Sequence, residues 1–267
     1  MTVLLDGLLY LDRSYKSLKV CSNSRKYVTP PCKIVDIQHI NRRLRILRAI
    51  GIRGIIKSIY FNFRILPIGQ AIRLPILLSR YVSTFNCKRE SIDFDTAKPR
   101  FGTLRIGLND LQFSYESRSF VSIQGKLKIY GSGYHVFGPG VSLNIWKDGV
   151  LSIGNNFSVA PHLRIFVSNA IEIGDNNMWS FYNLVMDTDA HPIYNKEGYL
   201  INHPQKIMFG DKCWLGAYCK ILKGANIPEG SVIGAGSTVT KTLTNKNCIY
   251  IGHKLHKEDT NWKSNIL

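Results

Sequence analysis

The chain has 267 residues, 45% of them hydrophobic and 20% charged, and its 35 Lys and Arg outnumber 18 Asp and Glu to leave a formal net charge of +17. That length carries a full core, in one domain or in one domain with an appendage. No apolar run reaches the roughly eighteen residues of a spanning helix. None of the six cysteines (Cys21, Cys32, Cys87, Cys213, Cys219, Cys248) is spaced as CxxC, so a zinc knuckle is excluded and a reduced, cytoplasmic setting fits.

The start, MTVLLDGLLYLDRSYK, has acidic side chains in a short apolar stretch and no basic lead, which does not read as a signal peptide. Charge is concentrated at this end. Residues 1–100 hold 19 Lys and Arg against 6 Asp and Glu, a net +13, while the remainder holds 16 against 12, a net +4. Pro30 and Pro31 break a mixed opening of residues 1–38. Residues 39–60 favour helix, with Ile40, Leu44, Leu47 and Ile50 on one face and Arg42, Arg45, Arg48 and Arg53 over the other. A basic amphipathic helix suits peripheral contact with the inner face of a cell membrane, the end of a folded core, or a partner subunit. Nucleic acid is not expected, because no reading motif accompanies the charge. Pro67 and Pro75 interrupt FNFRILPIGQAIRLPILLSRYV, which reads as extended segments with aliphatic anchors, and CKRESIDFDTAKPR reads as a polar connector. Residues 1–100 are thus expected to form a basic, partly helical N-terminal region.

From Phe101 a short-strand rhythm begins, irregular at first, with the glycines of GSGYHVFGPG as turn residues. No GK[ST] follows them, so they are not a phosphate loop. Ile153, Val159 and Ile165 then recur every six residues, as do Ile173, Trp179 and Val185; two extra residues between Ile165 and Ile173 must bulge at a corner. The longest run is Phe209, Leu215, Ile221, Ile227, Ile233 and Val239, with small side chains at Cys213, Cys219, Ala225, Ser231 and Ser237. Neither the 3.6-residue period of a helix nor the 2.0-residue period of a strand holds one face for so long. A period of six builds one flat wall per hexad of a parallel β-helix, whose coils bury their aliphatics only by stacking. The fold expected over residues 101–244 is therefore mainly β: a hexad-based parallel β-helix, with residues 245–267 as a tail that reads as a short strand and then helix or coil.

Residues 191–206, HPIYNKEGYLINHPQK, interrupt the beat with two prolines and polar turn residues. This excursion opens on Asp187-Thr188-Asp189-Ala190-His191. A histidine beside two carboxylates at the lip of a loop suits proton transfer, because imidazole titrates near neutrality and a carboxylate or carbonyl can fix its tautomer. A loop histidine merely held by Asp189 fits the same residues. Trp146 and Trp179 read as wall-packing aromatics. His135, His162, His191 and His203 lack the HxxxxH pairing of a zinc carbonic anhydrase, and no metal is expected.

The hexads, DTDAH, the CWLGA of residues 213–217 and the SVIGAGSTVTK of residues 231–241 together resemble the hexapeptide-repeat acyltransferases, nearest the sugar and capsular polysaccharide O-acetyltransferases. The resemblance spans roughly residues 120–245. It implies a left-handed β-helix, a homotrimer with active sites between adjacent subunits, and acetyl-CoA as donor. It implies His191 as general base, with Asp189, Glu197 or a backbone carbonyl as the group that orients it. Ala217 and Ala235 match positions whose backbone meets the pantetheine arm, beside Gly216. Thr240 and Lys241 match the end of that arm and the nucleotide phosphates, and Trp214 lines the cleft. Asn183 and Asp187 are candidates for acceptor contact, although each also suits a turn hydrogen bond. The stretch Gly252-His253-Lys254-Leu255 departs from the family's G-N-P-A turn. The expected activity is O-acetylation of a sugar or glycan hydroxyl in polysaccharide assembly. The alternatives are N-acyl transfer to an amino sugar or nucleotide sugar, and an inactive β-helix scaffold.

Overall fold

The computed structural model describes residues 9–11, 18–20, 37–108 and 117–263. The chain divides into two units, residues 1–49 and 50–267. In the first, strands Leu9–Leu11 and Leu18–Val20 pair antiparallel. A helical run spans Ile37–Ile65, but Gly51 sits inside it at φ 64° and ψ 165°, a conformation open to glycine and foreign to a helix, so the run is broken there. Of the expected helical face, Ile50 is fully buried; the side chains of Ile40, Leu44 and Leu47 lie outside the described residues.

The second unit is a three-walled prism. Its walls are parallel sheets in which each strand pairs with the strand three places later in sequence, until Val232–Ile233 pairs with Ile249–Ile251 two places on, which is how a coil stacks on the next. One wall takes its strands from Val82–Phe85 to Thr238–Val239, a second from Ile92–Phe94 to Asn226–Ile227, and a third from Ile76–Leu78 to Ile249–Ile251. This is the parallel β-helix of stacked coils expected from the hexads. Phe209 is 4% exposed and Leu215, Ile221, Ile227, Ile233 and Val239 are fully buried, and the small residues Cys213, Cys219, Ala225, Ser231 and Ser237 are buried with them. At roughly 25 cal/mol per Å² of apolar surface removed from water, this stack is the main source of stability. Phe137, Phe157, Trp179 and Phe209 add an interior aromatic column with centroids 5.3, 4.9 and 4.6 Å apart. Trp179 is thus a core residue, as expected, while Trp146 stands 37% exposed at a corner.

The two extra residues after Ile165 lie at the corner between the first and second walls. Strands Arg164–Val167 and Ala170–Ile173 flank a turn at Ser168-Asn169, so that Ile165 pairs with Val185 and Ile173 with Phe209. Cys213 and Cys219 serve as packing: their thiols donate to the Pro228 carbonyl at 3.2 Å and the Gly234 carbonyl at 3.3 Å. Burial pushes the Cys213 thiol up to about 12, which keeps it from acting as a nucleophile.

Two boundaries differ from expectation. The walls begin before Phe101, because Ile76–Leu78 pairs with Leu104–Ile106, Val82–Phe85 with the strand Ser119–Ile123, and Ile92–Phe94 with the strand Lys126–Ile129. The polar flanks of IDF in the supposed connector hide a strand whose Ile92 and Phe94 point inward. The tail also stays on the prism: Ile249–Ile251 extends the third wall in parallel and Lys254–Lys257 folds back on it antiparallel. Ahead of the first coil, the helix from Ile52 to Ile65 lies along the edge strand. Asn62 donates to the Ile76 carbonyl at 2.7 Å and accepts the Ile76 N–H at 3.1 Å, and the Ser58 hydroxyl accepts the Leu78 N–H at 2.9 Å.

Candidate active site

The excursion leaves the prism at the corner between the first and second walls, after Leu184–Met186, and returns at Ile207–Phe209. Its root is Asp187, fully buried. The Asp187 carboxylate accepts the N–H of Ser168 and of Asn169, each at 2.8 Å, tying the loop to the turn one coil below. Burial raises this carboxyl above the usual carboxylate range, and the backbone N–H groups pull it partly back. Asp187 is therefore committed to the frame and unavailable to an acceptor. Asn183 is likewise buried, its Nδ2 donating to the Ser180 carbonyl at 2.9 Å and its Oδ1 accepting the Cys219 N–H at 2.7 Å. Both are turn residues, and the acceptor role considered for them falls away.

Beyond Asp187 the loop is held by side chains. Asp189 pairs with Lys223, which projects from the same corner one coil on. Asn202 donates to Asp189 at 3.0 Å and to the His191 carbonyl at 2.8 Å, and its Oδ1 accepts the Ile193 N–H at 2.7 Å. The charge and donors of Lys223 and Asn202 keep the Asp189 carboxyl below the usual range. Ala190 turns the chain at φ 65°, so that the His191 N–H meets the Asp189 carbonyl at 2.8 Å. The result presents the His191 ring to solvent at the lip of the loop, with no side-chain hydrogen bond among the described residues. The Asp189 carboxylate thus anchors the loop to Lys223 and does not orient the imidazole. Glu197 is exposed at the hairpin tip closed by Tyr194 and Leu200 and is no partner for the ring either. Sequence proximity pointed to Asp189; Lys223 and Asn202, which claim it, sit thirteen and more residues away and carried no signal of their own.

The expected donor positions gather on another edge, between the third and first walls. Ala217 is half-buried and Ala235 exposed, one coil apart, and neither N–H donates a hydrogen bond among the described residues. Two small side chains one coil apart, each with an N–H left unpaired among the described residues, make a strip along which an amide-bearing chain can lie. Gly216 lies behind this strip: a Cβ there would come within 2.6 Å of the Ala235 nitrogen, so its role is to let two coils approach. Trp214 is 41% exposed on the third wall, with Trp262 beside it at 6.0 Å. Tyr218, next to Ala217, stacks on Tyr182 at 4.9 Å, and Tyr182 on His162 at 4.5 Å, an aromatic ladder that the period of six alone did not announce.

Thr240 and Lys241 end the first wall and are exposed. His253 accepts the Thr240 N–H at 2.8 Å and lies 3.3 Å from its hydroxyl, so the departure from the family turn has a structural use: its imidazole fastens the tail hairpin to the last coil. Thr240 is thereby partly occupied, and Lys241 and Lys254 are exposed cations at this end. Among the described residues no three His, Cys, Asp or Glu side chains converge to hold a metal ion.

No protein-family profile matches the chain. Among curated proteins it is 34% identical over 96 residues to galactoside O-acetyltransferase of Escherichia coli K12, covering 35% of this chain and 46% of the relative. It is 33% identical over 116 residues to the galactoside O-acetyltransferase of Lactococcus lactis, covering 42% of this chain and 46% of that protein. The chain thus spans about half the length of the curated relatives it matches. Among solved structures, the polySia specific acetyltransferase NeuO superimposes with a TM-score of 0.46 at 18% identity, over 71% of this chain and 89% of its own.

Proposed function

We propose that this chain belongs to the hexapeptide-repeat acyltransferases and transfers an acetyl group from acetyl-CoA to a hydroxyl of a sugar or glycan, with His191 as general base. The observation that carries this reading is the pairing of an exposed imidazole on a firmly anchored loop with a strip of open backbone N–H groups at Ala217 and Ala235. The galactoside O-acetyltransferases to which it is similar supply the class of acceptor.

In this reaction a ring nitrogen of His191 takes the proton from the acceptor hydroxyl as its oxygen attacks the thioester carbonyl. The tetrahedral adduct collapses to the acetyl ester, and the departing thiolate recovers the proton from the imidazolium. Ala217 and Ala235 would meet the amides of the pantetheine arm with their N–H groups, and Lys241 the nucleotide phosphates, through charge-assisted contacts. Within one chain the His191 corner and the Ala217 corner are different edges of the prism. A homotrimer that sets the first edge of one copy beside the second edge of the next would complete the site. The exposed Ile193, Tyr194, Tyr199 and Ile201 on the excursion suit such an interface.

The test is coenzyme A release from acetyl-CoA in the presence of matched hydroxy and amino sugars. Hydroxy sugars are expected to be the acceptors, and His191→Ala is expected to lower kcat/KM by about 10²–10⁴-fold while the protein stays folded. Undiminished transfer in the folded variant removes His191 as base. Transfer to the amino sugar alone reassigns the chain to N-acylation, and no transfer to any acceptor leaves a scaffold.

A further inference from the structure

A helix on a protein surface normally turns its apolar stripe to the core and its polar side to water. The segment Ile52–Ile65 has a core-facing side, where Gly54, Ser58, Phe61, Asn62 and Ile65 are all buried. Ser58 and Asn62 on that side serve the edge strand Ile76–Leu78. The opposite side carries a second apolar stripe: Ile52, Ile56, Ile59, Tyr60 and Phe63, between 42% and 79% exposed. Their spacing of i, i+4, i+7, i+8 and i+11 confines them to one arc of about 100°. Arg53, Lys57 and Arg64 are exposed along one flank of that arc. Lys57 turns inward to the Arg80 and Val82 carbonyls, each at 3.0 Å, and Arg64 donates one N–H to the Cys87 carbonyl at 3.5 Å, which leaves Arg53 and the remaining guanidinium donors of Arg64 exposed along the flank. Ile68 and Ile72, in the turn that follows, are also exposed.

We propose that this face docks on a bilayer containing anionic lipid, with the Ile52–Phe63 stripe at the boundary between headgroups and acyl chains and Arg53 and Arg64 on the headgroup phosphates. Five large apolar side chains held in water on one arc gain free energy from any apolar cover. Charge selects which cover. A second copy of the face would bring Arg53 and Arg64 near their own counterparts. Residues 1–36 of the chain hold 6 Lys and Arg against 3 Asp and Glu and share the same sign. Anionic headgroups have the opposite sign, and a basic amphipathic helix lying in the interface draws on both area and charge. No helix among the described residues is long and apolar enough to cross a membrane, so the contact is one of lying on the surface. The inference stands independently of the transfer reaction, since neither His191 nor the Ala217 strip takes part.

The experiment is co-sedimentation of the full chain with vesicles of phosphatidylcholine alone and of phosphatidylcholine with phosphatidylglycerol, at low and high salt. Capture by the phosphatidylglycerol vesicles, weakened by salt, is expected. The double variant Ile56→Glu/Phe63→Glu is expected to lose at least about tenfold in capture, with thermal midpoint and light-scattering mass unchanged. Arg53→Glu/Arg64→Glu is expected to abolish the preference for phosphatidylglycerol. A wild-type chain left in the supernatant overturns the proposal, as does a double variant captured like wild type. A double variant that dissociates an assembly also overturns it and assigns the stripe to a second copy. Should that variant not fold, Tyr60→Trp decides: a blue shift of its emission on vesicle addition supports docking, and an unchanged spectrum rejects it.

Discussion

Between Phe209 and Val239 each sixth side chain is at most 4% exposed, whereas between His191 and Ile201 four large apolar side chains are 51% exposed or more. The two stretches are nearly adjacent in sequence and are built on opposite terms. In the coils, inward side chains do the holding and the backbone does the pairing. In the excursion, a buried Asp187, the Asp189–Lys223 pair and Asn202 do the holding, and the remaining side chains are left outward. The contrast teaches that stiffness and exposure are separated here: the prism fixes a corner, and a few polar anchors hold an exposed histidine out from it.

The contrast breaks most plainly under truncation. Ile221→Ala is expected to cost about 2–5 kcal/mol through lost burial and the cavity left behind, read as a fall in thermal or denaturant midpoint. Ile193→Ala is expected to stay within about 0.5 kcal/mol in the separated chain. If the two cost alike, the excursion is packed and the division fails.

Asp187→Ala tests the root of the loop. It strands the N–H groups of Ser168 and Asn169, each held at 2.8 Å, and is expected to cost about 1–3 kcal/mol, with acetyl transfer falling along with it. A variant that keeps full stability shows that water replaces the carboxylate without loss.

A third test concerns acid. His135 is fully buried, with Nε2 2.7 Å from the Gly154 carbonyl and Nδ1 without a partner, and burial lowers its pKa below 6.5. The unfolded chain therefore takes up a proton that the folded chain resists. Stability from this site is present above about pH 6.5 and is lost as pH falls below it. The thermal midpoint of the wild type is expected to drop between about pH 6.5 and pH 5, and that of His135→Gln to drop less. Parallel curves would assign the acid sensitivity to other groups.

The smallest expected effect is at Lys223. Lys223→Met frees Asp189 while the walls stay intact, so the midpoint should move by under about 1 kcal/mol and kcat should fall more than KM rises. A change in KM alone makes Lys223 an acceptor contact and not a positioning residue.

Much of the frame was legible before any coordinates, because Leu215, Ile221, Ile227 and Ile233 each obey one local rule that repeats. The early coils were not, since strands such as Ile92–Phe94 follow irregular spacings in polar surroundings and acquire their walls only by pairing with Lys126–Ile129. The DTDAH segment marked the start of the excursion but misled about its wiring. Asp189 lies two residues from His191, and yet its carboxylate belongs to Lys223, thirty-four residues on and one coil away. Which carboxylate faces which cation depends on the stacking of coils. Asn183 and Asp187 show the same limit from the other side: polar residues beside a reactive loop were buried anchors.

A stack of parallel strands has no intrinsic reason to stop, because its last rung always offers a row of backbone groups to the next molecule. Here the opening rung is closed by Ser58 and Asn62, and the closing rung by the reversed strand Lys254–Lys257, which His253 clips in place. Removing either stopper is expected to turn a particle of fixed length into one that grows end to end, so the side chains that finish the prism also set its length.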